Sequence, residues 1–174
     1  MDLNELRVKI ELAASEAFLE VRKNFPGQAF CGYALYSDPD AVTVAPAVNS
    51  MGHLQKMING DPDDAVYYRW SPGEWDHEFE GAEHFKGVST LLRNEASKMH
   101  SEAEREAFRQ GVYECCVAVL ESMRSKGFFS DMDETGVLVF SISDAENDLE
   151  SDWIARLNRH DLAEEFRDWI ASLG

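Results

Sequence analysis

Val137-Leu138-Val139-Phe140-Ser141-Ile142 is apolar at consecutive rather than alternate positions. Side chains of a strand point to opposite faces in turn, so such a run is stable only where both faces of its sheet are covered. It reads as a central strand, and the elements around it must supply the cover.

Those elements are mostly helical. Leu3, Leu6, Ile10, Ala13, Ala14, Ala17 and Val21 recur at helical spacing behind Asp2-x-x-Glu5, a variant capping box, and Pro26-Gly27 ends the helix. Phe30–Tyr36 and Ala41–Val48 read as strands joined as a hairpin through Ser37-Asp38-Pro39-Asp40, with Pro46 implying an edge or a strand end. Ser50–Ile58 is expected as a short helix and Ala65–Trp70, rich in aromatic residues, as a third strand. Helices are expected over Ala82–Met99 and over Glu102–Lys126. The second opens with the capping box Ser101-x-x-Glu104 and buries Phe108, Val112, Cys115, Val119 and Met123. Helices near Leu149–Leu157 and from Asp161 to about Ser172 close the chain. The order αββαβααβαα predicts one α+β domain over residues 1–174, a small, mainly antiparallel sheet of about four strands packed by helices.

Composition excludes several classes. With 44% hydrophobic and 11% aromatic residues, the 174-residue chain has enough apolar surface for a core and is not disordered. A formal net charge of −17 argues against binding nucleic acid or an anionic membrane, both of which demand Lys and Arg. It suits a basic partner. The charge is uneven: beyond residue 100 there are 17 acidic and 7 basic groups. Asp131, Asp133, Glu134, Asp144, Glu146, Asp148, Glu150 and Asp152 form a run with no Lys or Arg. Asp61, Asp63, Asp64, Glu74, Asp76, Glu78, Glu80 and Glu83 form a second, relieved only by Arg69. Concentrating like charges destabilises a fold, so folding alone does not explain them.

Familiar chemistry is not spelled out. Met1–Leu6 lacks the basic and apolar regions of a signal peptide, and Cys31, Cys115 and Cys116 form no C-x-x-C; buried free thiols in a cytoplasmic protein are expected. Asp131-x-Asp133-x-x-Gly136 begins like a calcium loop, but its twelfth position is Ile142, so no metal is expected there. His77 and His84 lie among carboxylates without zinc-ligand spacing. Nucleophile elbows, phosphate-binding glycine loops and cofactor motifs do not occur, so no cofactor and no enzymatic activity are expected.

The most distinctive segment is Tyr67-Tyr68-Arg69-Trp70-Ser71-Pro72-Gly73-Glu74-Trp75. Trp and Arg are the residues that form binding hot spots, and they equally anchor loops to cores. Together with Phe30–Asp38, Pro46–Asn49 and Phe140–Asp144, the Tyr68–Pro72 element with Trp75 resembles an uncharacterised bacterial family of about this length, a domain of unknown function. The resemblance supplies no catalytic residues. Its members are similar in size and acidity to the immunity proteins of polymorphic toxin systems.

The resulting expectation is an acidic binding protein of the immunity type that occludes a basic toxin, with a nuclease as the candidate class. Its contact residues are expected to be Trp75, Glu74, Asp76, Glu78, Glu80, Asp144, Glu146 and Asp148. The alternative is a small-molecule enzyme or ligand-binding domain with a pocket near Trp70, Trp75, His77 and Ser141–Asp144.

Overall fold

A computed structural model describes residues 1–132, 134–143 and 149–173. Its elements are α1 (Leu3–Asn24), β1 (Phe30–Ser37), β2 (Val44–Ser50), α2 (Met51–Gly60), α3 (Ala65–Trp70), β3 (His77–Glu78), α4 (Lys86–Ala96), α5 (Glu102–Ser125), β4 (Val137–Ile142), α6 (Glu150–Leu157) and α7 (His160–Leu173). The fold is α+β. Its sheet has the order β3-β2-β1-β4, with antiparallel β1–β2 and β2–β3 pairs and a parallel β1–β4 pair.

Both faces of the sheet are covered, as the apolar run requires. Tyr33, Leu35, Val48, Leu138 and Phe140 pack on one side against α1 and α5, with Leu6, Ile10, Phe18, Val112, Val119 and Leu120 among the buried partners. On the other side Ala34, Ala47, Val137 and Val139 meet Trp70, Trp75, Ile154, Leu162, Ala163 and Phe166. The second face is built from small residues so that indoles fit over it. A Cβ added to Gly32 would lie 2.9 Å from Cη2 of Trp75, so the missing side chain makes room for that ring.

The helix ends follow the sequence signals. Asp2 accepts from the Asn4 amide at 2.8 Å, and Ser101 and Glu104 form a complete capping box. The two strand expectations that shift do so for local reasons. β2 begins at Val44 rather than Ala41, because the Asp38 carboxylate holds the turn by accepting from the Asp40 amide, the Val42 amide and the Thr43 hydroxyl. Ala65–Trp70 is a helix, not a strand. Val66 and Trp70, four residues apart, face the second core while Tyr67 is exposed; helical spacing overrides the aromatic composition.

The third strand is instead the two-residue β3, which explains Pro46. β2 is interior, yet β3 pairs only with Ala47 and Val48. Pro46 lies beyond that pairing, and its carbonyl accepts from the Phe79 amide at 3.2 Å, so no ladder donor is missed. The long helix expected over 82–99 is a 3-10 turn at Ala82–Phe85 followed by α4.

β4 is an edge strand rather than a central one, and a side chain caps its open edge at Leu138. Asn158, just past α6, accepts from the Leu138 amide at 2.8 Å and donates to the Leu138 carbonyl at 2.7 Å. α6 is itself tied to α5: Trp153 Nε1 donates to Glu114 at 2.9 Å, and Arg156 bridges Glu114 and Glu121. The three cysteines are buried and none is in a disulfide.

Candidate functional site

The site lies where β1 and β4 end side by side. Because these strands are parallel, their carboxyl ends open at the same rim, and the ladder continues one step with the Ser143 amide donating to the Ser37 carbonyl at 2.8 Å. A cleft of about 570 Å³ opens there. Its floor is Tyr36 and Ser141–Ser143; Tyr67, Trp70 and the Pro72–Gly73 turn form one wall, Phe166, Trp169 and Ile170 of α7 another, and Glu78, Phe79 and Glu150 complete it. This volume lies within the range of ligand clefts.

Arg69 and Trp70 hold the wall in place from behind. Arg69 Nη1 donates to both carboxylate oxygens of Glu165 at 2.9 and 2.8 Å, and Trp70 Nε1 donates to Glu165 Oε1 at 2.9 Å. One carboxylate on α7 thereby fixes α3, and the Trp70 ring packs edge-on against Phe166 at 5.2 Å. Arg69 and Trp70 are thus anchors of the cleft wall, and the arginine's charge is spent internally.

The charged groups of the cleft are acidic. Tyr36 donates to Glu78 at 3.2 Å, and burial, then the neighbouring Glu78 charge, holds the phenol well above its usual range. Tyr67 donates to Glu74 at 2.8 Å, and that hydrogen bond chiefly raises its pKa. Glu150, the first residue of α6, has no hydrogen-bond or ion-pair partner among the described residues, and burial pushes its carboxyl up to about 7. No Lys, Arg or His is among the lining residues. Phe79 is 55% exposed although its φ is 64°, a left-handed conformation unusual for a residue with a bulky side chain, and its ring meets Tyr36 edge-on at 5.5 Å.

The structure separates the sequence-selected residues. Trp75, expected either as a contact residue or as an anchor to the core, is 4% exposed and lies over Gly32, where its indole fills the space above a small-residue face. Asp76 has a structural role, accepting from the Ser50 amide at 3.0 Å and the Ser50 hydroxyl at 2.6 Å where α2 begins. Glu78 lines the cleft, Glu74 holds Tyr67 beside it, and Glu80 is half-buried nearby in the chain. Asp144, Glu146 and Asp148 lie outside the described residues. Of the alternative pocket, Trp70 and Ser141–Ser143 line the cleft, whereas His77 is buried elsewhere, stacked 4.0 Å from Phe25 and bonded to Gln28 at 2.7 Å. Asp144 is again outside the described residues.

Tyr36, Phe79, Glu150 and Trp169 were not marked by the sequence as site residues. One signal was available for Trp169: the apolar stripe Leu162, Phe166, Trp169, Ile170 and Leu173 outruns the core, and Ile170 and Leu173 remain exposed. Nothing local marks Glu150, which is one carboxylate in a run of eight.

Fold and site together define an α+β domain with an acidic, aromatic-walled cleft at the carboxyl ends of two parallel strands. The chain belongs to the family described as Domain of unknown function (DUF4303), whose model matches residues 10–159. No curated protein and no solved structure matches it. Among the described residues no helix is long and apolar enough to cross a membrane, and no group of three or more His, Cys, Asp or Glu residues is placed to hold a metal ion.

Proposed function

We propose that the protein is a binding protein for a basic protein partner, acting by occlusion in the manner of an immunity protein against a toxin, with a nuclease as the candidate class, and that it is not an enzyme. The observation that carries this reading is the inward turn of Arg69. It is the one Lys or Arg in the stretch from Asp61 to Phe85, and its guanidinium is taken by Glu165. Asp61, Asp63, Asp64, Glu74, Glu78 and Glu80 have no ion-pair contact to Lys or Arg among the described residues, and the three aspartates are exposed. An uncompensated acidic surface beside a cleft accelerates encounter with a basic partner and penalises acidic ones.

The test is affinity capture by the full chain at low salt from cells that make it, followed by association kinetics with what is captured. Support would be a basic protein whose association rate falls at least about tenfold between low and physiological salt, and whose activity the chain suppresses. Capture of no basic protein, or an association rate indifferent to salt, overturns the reading.

A second reading, a small-molecule enzyme or ligand-binding domain, is favoured by one observation: a carboxyl titrating near neutrality in a cleft of ligand size.

A further inference from the structure

The cleft combines features that individually have structural explanations and together describe a ligand. Its walls are aromatic: Tyr36, Tyr67, Trp70, Phe79, Phe166 and Trp169. Its charged lining groups are Glu78 and Glu150, with no lining cation to answer either. The Glu78 carboxylate accepts one hydrogen bond among the described residues, from the Tyr36 hydroxyl on Oε1. Glu150 has none among the described residues, although a half-buried carboxyl without a partner is destabilising whether it gives up its charge or keeps it. At the mouth, three side chains with large apolar surfaces are left in water, Phe79, Tyr67 and Ile170, and Phe79 is held there in a backbone conformation disfavoured for its side chain. A fold with no use for this rim would gain stability by burying or replacing them.

Aromatic faces with carboxylates select a cation, and among cations they select a guanidinium. A planar, weakly hydrated guanidinium stacks on rings and donates in several directions at once, whereas a lysine ammonium is a strongly hydrated point charge that loses more on entering an apolar-walled cleft. We propose that this cleft receives an arginine side chain of the basic protein partner, with Glu78 and Glu150 as its acceptors and the aromatic walls, Trp169 foremost, as the surface its stem and plane lie against. This rests on the binding-protein reading and gives it an anchor: a desolvated arginine beside the acidic surface of residues 61–80, in keeping with the arrangement of an interface hot spot. The elevated carboxyl of Glu150 agrees with this, since an incoming cation would restore its charge and release its proton.

The experiment uses the full chain, with the Trp169 indole N–H followed by NMR and assigned by loss of its signal in Trp169→Phe. The probes are a blocked tripeptide Gly-Arg-Gly, the matching Gly-Lys-Gly, and N-acetylarginine amide. The expected result is a saturable Trp169 shift with Gly-Arg-Gly, weakened about fivefold or more with Gly-Lys-Gly, and weakened on the order of tenfold by Glu150→Gln and by Glu78→Gln. Glu150→Gln keeps the shape and removes only the charge, so folding is not at stake, and unchanged indole signals of the other tryptophans verify this. No saturable shift with Gly-Arg-Gly up to about 50 mM, or equal binding by the glutamine variants, overturns the proposal. Saturation by N-acetylarginine amide with none by the tripeptide also overturns it, in favour of a free small cation. A captured basic partner that binds the Glu78→Gln and Glu150→Gln variants as tightly as the parent overturns the arginine pocket and leaves the acidic binding surface standing; a tripeptide that binds where no basic partner is ever captured does the reverse to the function proposed above.

Discussion

The side-chain amide of Asn158 pairs with the backbone of Leu138 as a neighbouring strand would, accepting from its N–H at 2.8 Å and donating to its C=O at 2.7 Å. A third bond, from Nδ2 to the Ile154 carbonyl at 3.0 Å, ties the same amide to the end of α6. An exposed strand edge invites pairing with other chains, and at Leu138 a single residue occupies it.

Asn158→Ala is therefore expected to destabilise the protein by about 2–3 kcal/mol, because the Leu138 amide and carbonyl lose their partners together. Urea denaturation measures the loss. Hydrogen exchange gives the specific signature: the Leu138 amide should lose protection ahead of that of Val139, which faces β1 in the parallel ladder. Asn158→Asp, which can still accept from the amide but not donate to the carbonyl, should fall between.

Gly32→Ala should cost about 1–3 kcal/mol, because its Cβ would sit 2.9 Å from Trp75 and 3.1 Å from Asn49 Cβ. Trp75→Phe alone leaves a void, but combined with Gly32→Ala it should recover part of the loss. A double-mutant cycle that proves additive would contradict direct packing of these two positions.

Removing the Glu165 carboxylate strands both Arg69 and Trp70 Nε1. Glu165→Ala should lower stability by roughly 2 kcal/mol, less than a fully buried pair because Arg69 and Glu165 side chains remain 23% and 32% exposed. Arg69→Ala in the same background should then have little further effect. Thermal melts of the four proteins decide it.

Glu150 gives a pH dependence of opposite sign to that of a salt-bridged carboxylate. Its folded pKa of about 7 lies above the ordinary 4.5, so the folded state holds the proton more tightly than the unfolded chain. This contribution favours folding fully below about pH 4.5 and is lost as the pH rises through 7. Glu150→Gln should thus stabilise the protein by roughly 2 kcal/mol at pH 8 relative to its effect at pH 4.5. Denaturation of parent and variant at both values checks this; an identical difference at each would contradict it.

Elements whose signals are local were legible in the sequence. The apolar run gave the bounds of β4, and capping residues gave the starts of α1 and α5, since each reflects a few adjacent side chains satisfying one helix end or one strand. The failures concern long-range arrangement. Ala65–Trp70 has strand composition, and only the second core, built from residues far along the chain, makes its i, i+4 pair face inward. β4 reads as central by composition because helices and Asn158 protect an edge that no local pattern reveals. The cleft was half legible: Trp70, Glu78 and Ser141–Ser143 lay in segments singled out by the sequence. Tyr36, Phe79, Glu150 and Trp169 come to the same rim only once β1 and β4 lie parallel and α7 packs across α3. Whether Trp75 was a contact or a core anchor could not be decided locally, because its burial depends on a glycine 43 positions earlier in the chain.

The parallel β1–β4 pair also sets a timetable for synthesis. β1 and β2 can close as a hairpin soon after they emerge, but β4 follows about a hundred residues later, a delay of roughly 5–20 s at ordinary translation rates. For that interval one flank of β1 has neither its strand nor the helix and asparagine that later shield the outer side. The half-made chain on the ribosome, more than the finished protein, is the form most open to misassembly, and slow decoding between α5 and β4 would lengthen its exposure.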